Sequence, residues 1–258
     1  MEYGICDLSI IPIRAEPSDK SEITSQLLFG ESYKVAINRD KWVKIKTSYD
    51  DYEGWIDQKQ YNTVSKADFD ILQSKEISVA LDLVGTAVSN KRHTPIVIGS
   101  SLPDFDGLNF KIIKEKFIYN GQAVTPGSHT GYDSIVEKCA MKFLNAPYLW
   151  GGRSPFGIDC SGFTQIVFKL LGIQLPRDSY QQAECGKPVD FVAQATIGDL
   201  AFFQNDEGKI THVGIVIGEG KIIHASGRVR IDKLDHFGIF QEKTRKYSHH
   251  LKSIRRIW

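Results

Sequence analysis

The chain has 258 residues, of which 41% are hydrophobic and 24% charged, enough for the core of one large domain or of two to three small ones. Its 32 basic and 31 acidic residues leave a formal net charge of +1, which argues against the strongly basic profile of nucleic-acid-binding proteins. No segment approaches the roughly 20 apolar residues of a membrane-spanning helix, so we expect no membrane span.

The N-terminal sequence and the cysteines bear on the cellular compartment. MEYGICDLSIIPIRAEPSDK has no basic segment ahead of a long apolar run, and Pro12 and Arg14 interrupt its apolar residues. The four cysteines include no CxxC pair and lack the regular spacing of a disulfide-rich secreted domain. We therefore expect a cytoplasmic protein, with a periplasmic or secreted location as the alternative if a leader has been removed.

Short runs of β-forming residues fill the N-terminal half of the chain. YKVAI, WVKIKT and GWI are separated by turn sequences such as EPSD and NRD, and a second set that includes ISVAL, TPIVIG and FKIIKEKFIYN follows. No long amphipathic helix is indicated here. The pattern predicts two small all-β barrels, over residues 1–62 and, more divergent, over residues 63–126, ahead of a third domain over residues 127–258.

The pattern becomes helical at TPGSHTGYDSIVEKCAMKFL. Apolar residues recur there at intervals of three and four until Asn145 and Pro147, which predicts a helix with Cys139 on its buried side. A second helix is predicted after Asp159, a suitable N-cap residue. The apolar face of this helix would consist of Phe163, Ile166, Val167, Leu170 and Leu171. DLAFF, HVGIVIG, KIIHAS and LKSIRRIW are then typical of strands, so the third domain is predicted to be α+β.

Cys160 would occupy the first turn of that second helix. The thiolate is the nucleophilic form of cysteine, and the partial positive charge at a helix N-terminus favours it. The backbone N–H of Cys160 would also serve as one oxyanion-hole donor. Position alone leaves two interpretations open, a catalytic nucleophile or a buried apolar side chain.

A histidine that could act as a base lies on each of two strands predicted after Cys160. If these strands form a hairpin around Gly218-Glu219-Gly220, residue 214 faces 224 and residue 212 faces 226. His212 and His224 are then diagonal neighbours on one face. They would complete a nucleophile–base–orienter triad with Cys160, in which His212 exchanges the proton and His224 holds its ring. A purely structural role is the alternative for His224.

The other histidines lack such a setting. We predict that all five are surface residues: His93, His129, His236, His249 and His250. A zinc site built from Cys160, Cys185, His212 and His224 would lack the ligand spacings of common zinc sites. We therefore expect no metal and no cofactor.

Several motifs follow one another along residues 128–258: APYLWGGRSPFGIDCSGF, LPRDSYQQ, GDLAFF, THVGIVIG and IIHASG. Together they resemble the NlpC/P60 cysteine peptidases, which cleave peptide bonds in bacterial cell-wall stem peptides. The resemblance implies a papain-like α+β catalytic domain. It also implies that Cys160 is the nucleophile, His212 the base and His224 the third member of the triad.

The N-terminal half is similar to bacterial SH3-like (SH3b) domains through RAEPSDKSEITSQLLFGESYKV, WVKI and YEGWI. With a second SH3b unit, the whole resembles the γ-D-glutamyl-L-diamino acid endopeptidases of the same family. This implies cleavage between γ-D-Glu and the diamino acid of a murein peptide such as L-Ala-γ-D-Glu-diamino acid, with diaminopimelate or lysine in the third position. It also implies that the first SH3b domain covers part of the active site and restricts it to peptides with a free N-terminal L-Ala.

A free α-amine is a cation, so its pocket requires carboxylates and other hydrogen-bond acceptors. The candidate substrate-binding residues are Glu16, Tyr52, Trp150, Asp159, Ser161, Asp178 and Ser179. Trp150 would form a wall of the pocket, and the two residues from the first SH3b domain would close it. Helix capping is the alternative role for Asp159, Asp178 and Ser179.

Two rival functions remain open from the sequence. An endopeptidase acting on intact peptidoglycan would be indifferent to the N-terminus of the stem peptide. A non-catalytic cell-wall binding protein would require a damaged triad, whereas all three triad positions are filled.

Overall fold

The structure is a computed structural model that describes residues 2–127 and 132–258. These residues form two compact units. The first combines the N-terminal half with Trp150–Pro155, and the second contains the other residues from Tyr132 onwards. The prediction for His129 lies outside the described residues. Within the described ranges, no helix is long and apolar enough to cross a membrane.

The first β-domain of the N-terminal unit is a seven-stranded antiparallel sheet. Its strands β1–β7 are Glu2–Ile5, Ile10–Arg14, Ile23–Leu28, Ser32–Arg39, Trp42–Thr47, Glu53–Asp57 and Thr63–Val64. They are arranged in the order β3-β2-β6-β5-β4-β1-β7. Side chains alternate along each strand, so Val43, Ile45 and Thr47 of β5 are buried while their neighbours are partly exposed. This alternation builds the apolar core of the domain.

A short helix, α1 (Lys66–Ser74), follows this domain, where the sequence pattern favours only strands. The Ser65 hydroxyl caps it by accepting a hydrogen bond from the backbone N–H of Asp68 at 3.1 Å. Phe69 and Leu72 face the core from the helix. The Ser65–Asp68 spacing is a capping signal, but it precedes only nine helical residues and too few apolar ones to show a clear period.

The second β-domain consists of two small antiparallel sheets. Strands β8–β14 are Ile77–Ala80, Val84–Val88, His93–Val97, Ser101–Pro103, Asn109–Ile112, Glu115–Ile118 and Ala123–Val124. Their orders are β10-β9-β13-β12 and β11-β8-β14. Phe29 of the first domain packs edge-on against Phe110 and Phe117 of the second. The two β-domains therefore share one apolar core.

The segment Trp150–Pro155, which contains β15 (Arg153–Ser154), packs on the first β-domain. The buried Arg153 guanidinium forms two hydrogen bonds with the Glu31 carboxylate, at 2.9 and 3.0 Å, and a third with the Gln26 carbonyl at 2.6 Å. A buried charge requires such pairing, because an unpaired one is strongly destabilising. These contacts fix the segment to the N-terminal unit.

The second unit combines helices with a seven-stranded antiparallel sheet. Its helices are α2 (Tyr132–Met141), α3 (Cys160–Leu170) and α4 (Ser179–Gln182). Its strands β16–β23 are Gly157–Ile158, Lys187–Val189, Leu200–Gln204, Ile210–Val216, Lys221–Ser226, Arg228–Leu234, Gly238–Gln241 and Lys246–Arg256. The sheet order is β17-β23-β18-β19-β20-β21-β22. Because β23 also pairs with β22, strands β18–β23 close into a small barrel.

The prediction of an α+β domain preceded by two small β-domains is confirmed. Cys139 is buried on α2, as its helical spacing predicts. The helix α3 is buried along its whole length and packs against β19 and β20. This packing brings the N-terminus of α3, which carries Cys160, to the two strands that carry His212 and His224.

Candidate active site

Cys160 is the first residue of α3, and Asp159 is its N-cap, as predicted. The Asp159 carboxylate accepts a hydrogen bond from the backbone N–H of Gly162 at 2.7 Å, which satisfies one of the free donors at the helix start. The Cys160 sulfur accepts a backbone hydrogen bond from Val213, the residue after His212 on β19. Cys160, the candidate nucleophile, is thereby held next to β19, the strand that carries His212, the candidate base.

The helix N-terminus does not convert Cys160 to a thiolate. Burial and the negative charge of Asp159 raise the pKa of the Cys160 thiol to about 12, and the Val213 N–H and the Arg177 charge offset only part of this. The helix end favours the thiolate, but the Asp159 carboxylate beside it and the burial of the thiol act in the opposite direction. At neutral pH the thiol is therefore protonated, and attack on a substrate requires a base.

The predicted hairpin of β19 and β20 is confirmed. Gly214 pairs with His224, and Ile215 pairs with Ile223. Side chains of equal parity share a face in this register, so the two histidines meet diagonally. His212 Nε2 lies 2.8 Å from His224 Nδ1, a hydrogen bond between buried imidazoles.

Both imidazoles are neutral at pH 7. Burial and repulsion by His224 and His249 lower the pKa of His212 well below its usual value. Burial also lowers the pKa of His224, although Asp232 acts in the opposite direction. A neutral His212 is able to accept a proton, which is the chemistry that the neutral thiol of Cys160 requires.

Sequence reasoning missed Arg177, which lies beside the nucleophile. Its guanidinium is buried and donates to both oxygens of Asp159, at 3.1 and 2.5 Å, and to the Ser161 hydroxyl at 2.8 Å. Gln182 of α4 donates to the Ser161 carbonyl at 3.1 Å. These bonds bring the PRDS segment to the first turn of α3. The sequence offered only the PRDS motif as a signal, because nothing in it shows that an arginine is buried.

The predicted acceptors around the nucleophile differ in their accessibility. Asp159 and Ser161 are buried and already bonded to Arg177, so Asp159 combines its capping role with a buried ion pair. Asp178 is the N-cap of α4, Ser179 is the first residue of that helix, and both are partly exposed. Tyr148 also lies near the nucleophile: burial, Cys160 and Asp159 together raise the pKa of its phenol to about 12.

The other predicted substrate-binding residues lie in the N-terminal unit. Glu16 is exposed and its backbone N–H donates to the Ser21 hydroxyl at 2.9 Å. Tyr52 packs against the core of the first β-domain. Trp150 is exposed, and its indole N–H donates to Glu22 of the same unit. Their roles in binding stay predictions.

The prediction that His249 is a surface residue is wrong. Its ring is partly buried and stacks on His212 with a centroid distance of 4.1 Å and an interplanar angle of 23°. The cause is the closure of the barrel, since β23 reaches this site by pairing with both β18 and β22. The described histidines His93, His236 and His250 are exposed, as predicted.

Ring nitrogens of His212, His224 and His249 all lie within 4.8 Å of one another, which raises the question of a metal site. His212 Nε2 and His224 Nδ1 already share a hydrogen bond, and His224 Nε2 lies 3.0 Å from Asp232 Oδ2. The rings of His212 and His249 are stacked, with an interplanar angle of 23°. The cluster is better explained as a hydrogen-bonded chain with a stacked third ring.

His249 is expected to make stability depend on pH. Burial, with repulsion by His224, lowers the pKa of its ring to about 4. The unfolded chain, with a pKa of about 6.5, binds the proton more tightly. The stabilising contribution is therefore complete above about pH 6.5 and is lost as the pH falls towards 4. The wild-type protein therefore loses free energy of unfolding on acidification, and we expect the loss to be about 1–2 kcal/mol smaller in His249→Phe. This value allows for the partial exposure of the ring.

Urea denaturation of the full chain at pH 7 and pH 4.5 measures this difference. Phenylalanine retains a ring against His212 and cannot titrate, and the exposed His236→Gln is the matched control. If wild type and His249→Phe lose equal stability between the two pH values, the assignment is wrong.

The comparisons with known proteins agree with this geometry. Residues 145–248 match the model of the NlpC/P60 family, and residues 13–60 match that of the bacterial dipeptidyl-peptidase Sh3 domain. A protein of Bacillus subtilis (strain 168) named gamma-D-glutamyl-L-lysine dipeptidyl-peptidase is 33% identical over 219 residues, which cover 79% of this chain and 72% of the relative. A protein of the same name from Bacillus cereus (strain ATCC 10987 / NRS 248) is 28% identical over 235 residues, covering 81% and 68%. A crystal structure of an NlpC/P60 family protein from Bacillus cereus ATCC 10987 shares the fold, with a TM-score of 0.83, 23% identity and 99% of each chain covered.

An α+β domain that presents Cys160 at a buried helix N-terminus, beside a hairpin with two bonded histidines, has the organisation of a cysteine peptidase. The match to a relative at 33% identity over most of both chains identifies the family of cysteine peptidases to which it belongs. The chain belongs to the NlpC/P60 family and carries a bacterial SH3 domain ahead of its peptidase domain.

Proposed function

We propose that this peptidase acts on peptides derived from peptidoglycan and cleaves the bond between γ-D-Glu and the diamino acid of short stem peptides with a free N-terminal L-Ala. The observation that supports this most directly is the match, over most of the chain, to relatives named gamma-D-glutamyl-L-lysine dipeptidyl-peptidase. Their name makes lysine one candidate for the third residue of the substrate, and diaminopimelate is the other.

In the proposed mechanism, His212 takes the proton of the Cys160 thiol as the sulfur attacks the carbonyl carbon of the scissile amide. The tetrahedral oxyanion is bound by the backbone N–H of Cys160 and by the Tyr148 hydroxyl, a neutral donor close to the sulfur. The C–N bond then breaks, and His212 protonates the leaving amine. Water, deprotonated by His212, hydrolyses the thioester and releases the sulfur, which is reprotonated.

Recognition of the substrate amine is proposed for Asp178 and Ser179, with Trp150, Tyr52 and Glu16 as further candidates. Asp159 and Ser161 are less available for this role than the sequence alone predicts, because Arg177 already bonds to both side chains. Asp178 and Ser179 are partly exposed at the start of α4, whose Gln182 bonds to the first turn of α3. A cationic amine and a carboxylate form one of the stronger kinds of hydrogen bond.

The free-amine requirement is tested by comparing the hydrolysis of L-Ala-γ-D-Glu-diaminopimelate, its lysine analogue and the N-acetylated form of each. We expect acetylation to lower kcat/KM by about 100-fold or more, because the acceptors of the proposed pocket lose a charged donor. Mass spectrometry of the released dipeptide and diamino acid identifies the bond that is cut. Equal rates for the free and acetylated peptides would overturn the amine pocket.

The same experiment also compares the hydrolysis of intact sacculi with that of the free peptides, and includes a variant of the proposed amine pocket. Asp178→Asn is expected to reduce the preference for the free amine, whereas Asp190→Asn, at an exposed position of the same unit, is not. Faster cleavage of sacculi than of free peptides would favour the rival function, an endopeptidase of intact peptidoglycan. The cytoplasmic location stays a prediction, which cell fractionation tests.

A further inference from the structure

Asp232 lies at the far end of the histidine pair, and the proposed mechanism does not use it. It is on β21, two residues beyond Arg230, the residue that pairs with His224. Its Oδ2 lies 3.0 Å from His224 Nε2, and its side chain is only 7% exposed. A chain of hydrogen bonds therefore runs from His212 through His224 to a buried carboxylate.

Arg230 holds this carboxylate in its ionised form. Its Nη2 donates to Oδ1 of Asp232 at 2.8 Å, and its Nε lies 2.7 Å from Oδ2. Burial opposes the ionisation of Asp232, but the bonds from His224 and Arg230 outweigh it and lower the pKa of the carboxyl group. Asp232 is thus an acceptor only.

An acceptor at this position determines where the protons lie on both rings. The neutral His224 ring must carry its proton on Nε2 in order to donate to Asp232. Its Nδ1 is then an acceptor, so His212 must donate to it from Nε2. Nδ1 of His212 is left without a proton, which is the form a base needs to accept the proton of Cys160.

We propose that Asp232 is a positioning residue that fixes the tautomers of His224 and His212 and stabilises the positive charge that the pair gains when His212 takes the thiol proton. The proposal rests on the proposed role of His212 as base. Asp232 itself touches neither substrate nor nucleophile in this mechanism and acts through the two rings.

The pH dependence of catalysis separates this role from a merely structural one. The titratable and charged groups facing the pair are Cys160 from α3, His249 from β23, and Arg230 and Asp232 from β21. With Asp232→Asn, we expect the plateau of kcat to fall about 10- to 100-fold, because the imidazolium loses its counter-charge. We also expect the acid limb of kcat/KM to move to lower pH, because the histidines become harder to protonate. A structural defect would lower the plateau and leave the limb in place.

A double-mutant cycle tests whether Asp232 acts through His224. In a His224→Gln background, Asp232→Asn should cause less than about a twofold further loss, because the chain is already interrupted. Equal losses in the two backgrounds would overturn the proposal. Asp235→Asn is the matched control: this carboxylate lies close to Asp232 in sequence, but it bonds to Tyr247 and to loop backbone, and the variant should retain full activity.

The tautomers can be measured without any substrate. Imidazole ¹⁵N chemical shifts of the wild-type protein at pH 7 should show His212 and His224 both protonated on Nε2 and bare on Nδ1. A proton on Nδ1 of His212 would overturn the proposal, whatever the variants do. Because this readout requires neither turnover nor a mutant, a wrong substrate assignment leaves it unaffected.

Discussion

Replacing Cys160 with alanine is expected to lower peptide hydrolysis by at least about 10⁴-fold, to a rate close to that without enzyme. Cys160 is the nucleophile in the proposed mechanism, and its sulfur is held at the start of α3 by the Val213 N–H. Water cannot take over its role efficiently, because the site is built to deprotonate a thiol at one fixed position. The side chain is small and buried, so alanine fits without displacing its neighbours.

Release of the diamino acid, followed by mass spectrometry, measures this loss. Cys185→Ala is the control, since Cys185 lies outside the proposed site and its thiol donates to the Gln181 carbonyl at 3.7 Å. The control should retain its full rate. A Cys160→Ala protein that keeps a tenth or more of the wild-type rate would contradict the mechanism, and unfolding is checked by comparing the circular dichroism of the two variants.

The histidine hairpin could be predicted because its geometry is local. The Gly218–Gly220 loop fixes the parity of two adjacent strands, and parity alone places His212 beside His224. The position of Asp232 beside His224 could have been predicted in the same way. Extending the register through the next turn, at Gly227, places it on the same face as His224.

His249 and Arg177 could not be found in this way. His249 lies 37 positions after His212 and reaches it only because β23 closes the barrel, a pairing that no local pattern encodes. Arg177 is charged and looks like a surface residue, yet it is buried by its pairing with Asp159. The raised pKa of the Cys160 thiol was missed for the same reason, because it depends on burial and on the charges of Asp159 and Arg177.

Replacing Arg177 with methionine is expected to cost about 3–5 kcal/mol of folding free energy, because it leaves the Asp159 carboxylate buried without its counter-charge. Both side chains are almost completely buried, and Arg177 Nη2 lies 2.5 Å from Asp159 Oδ2. The substitution should also lower the reactivity of the Cys160 thiol. Asp159 raises the pKa of the Cys160 thiol and Arg177 lowers it, so the variant should react more slowly with iodoacetamide at pH 8.

A double-mutant cycle distinguishes the unpaired charge from the loss of arginine packing. Adding Asp159→Asn to Arg177→Met removes the unpaired carboxylate while keeping an oxygen that can cap Gly162, so most of the lost stability should return. Lys209→Met is the control, because its partner Glu207 is exposed and the change should stay within about 0.5 kcal/mol. If Arg177→Met costs less than about 1 kcal/mol, or if the second substitution restores nothing, the pair does not hold the first turn of α3. A double variant that regains stability and also reacts faster with iodoacetamide than Arg177→Met would show that the charge of Asp159 sets the reactivity of Cys160.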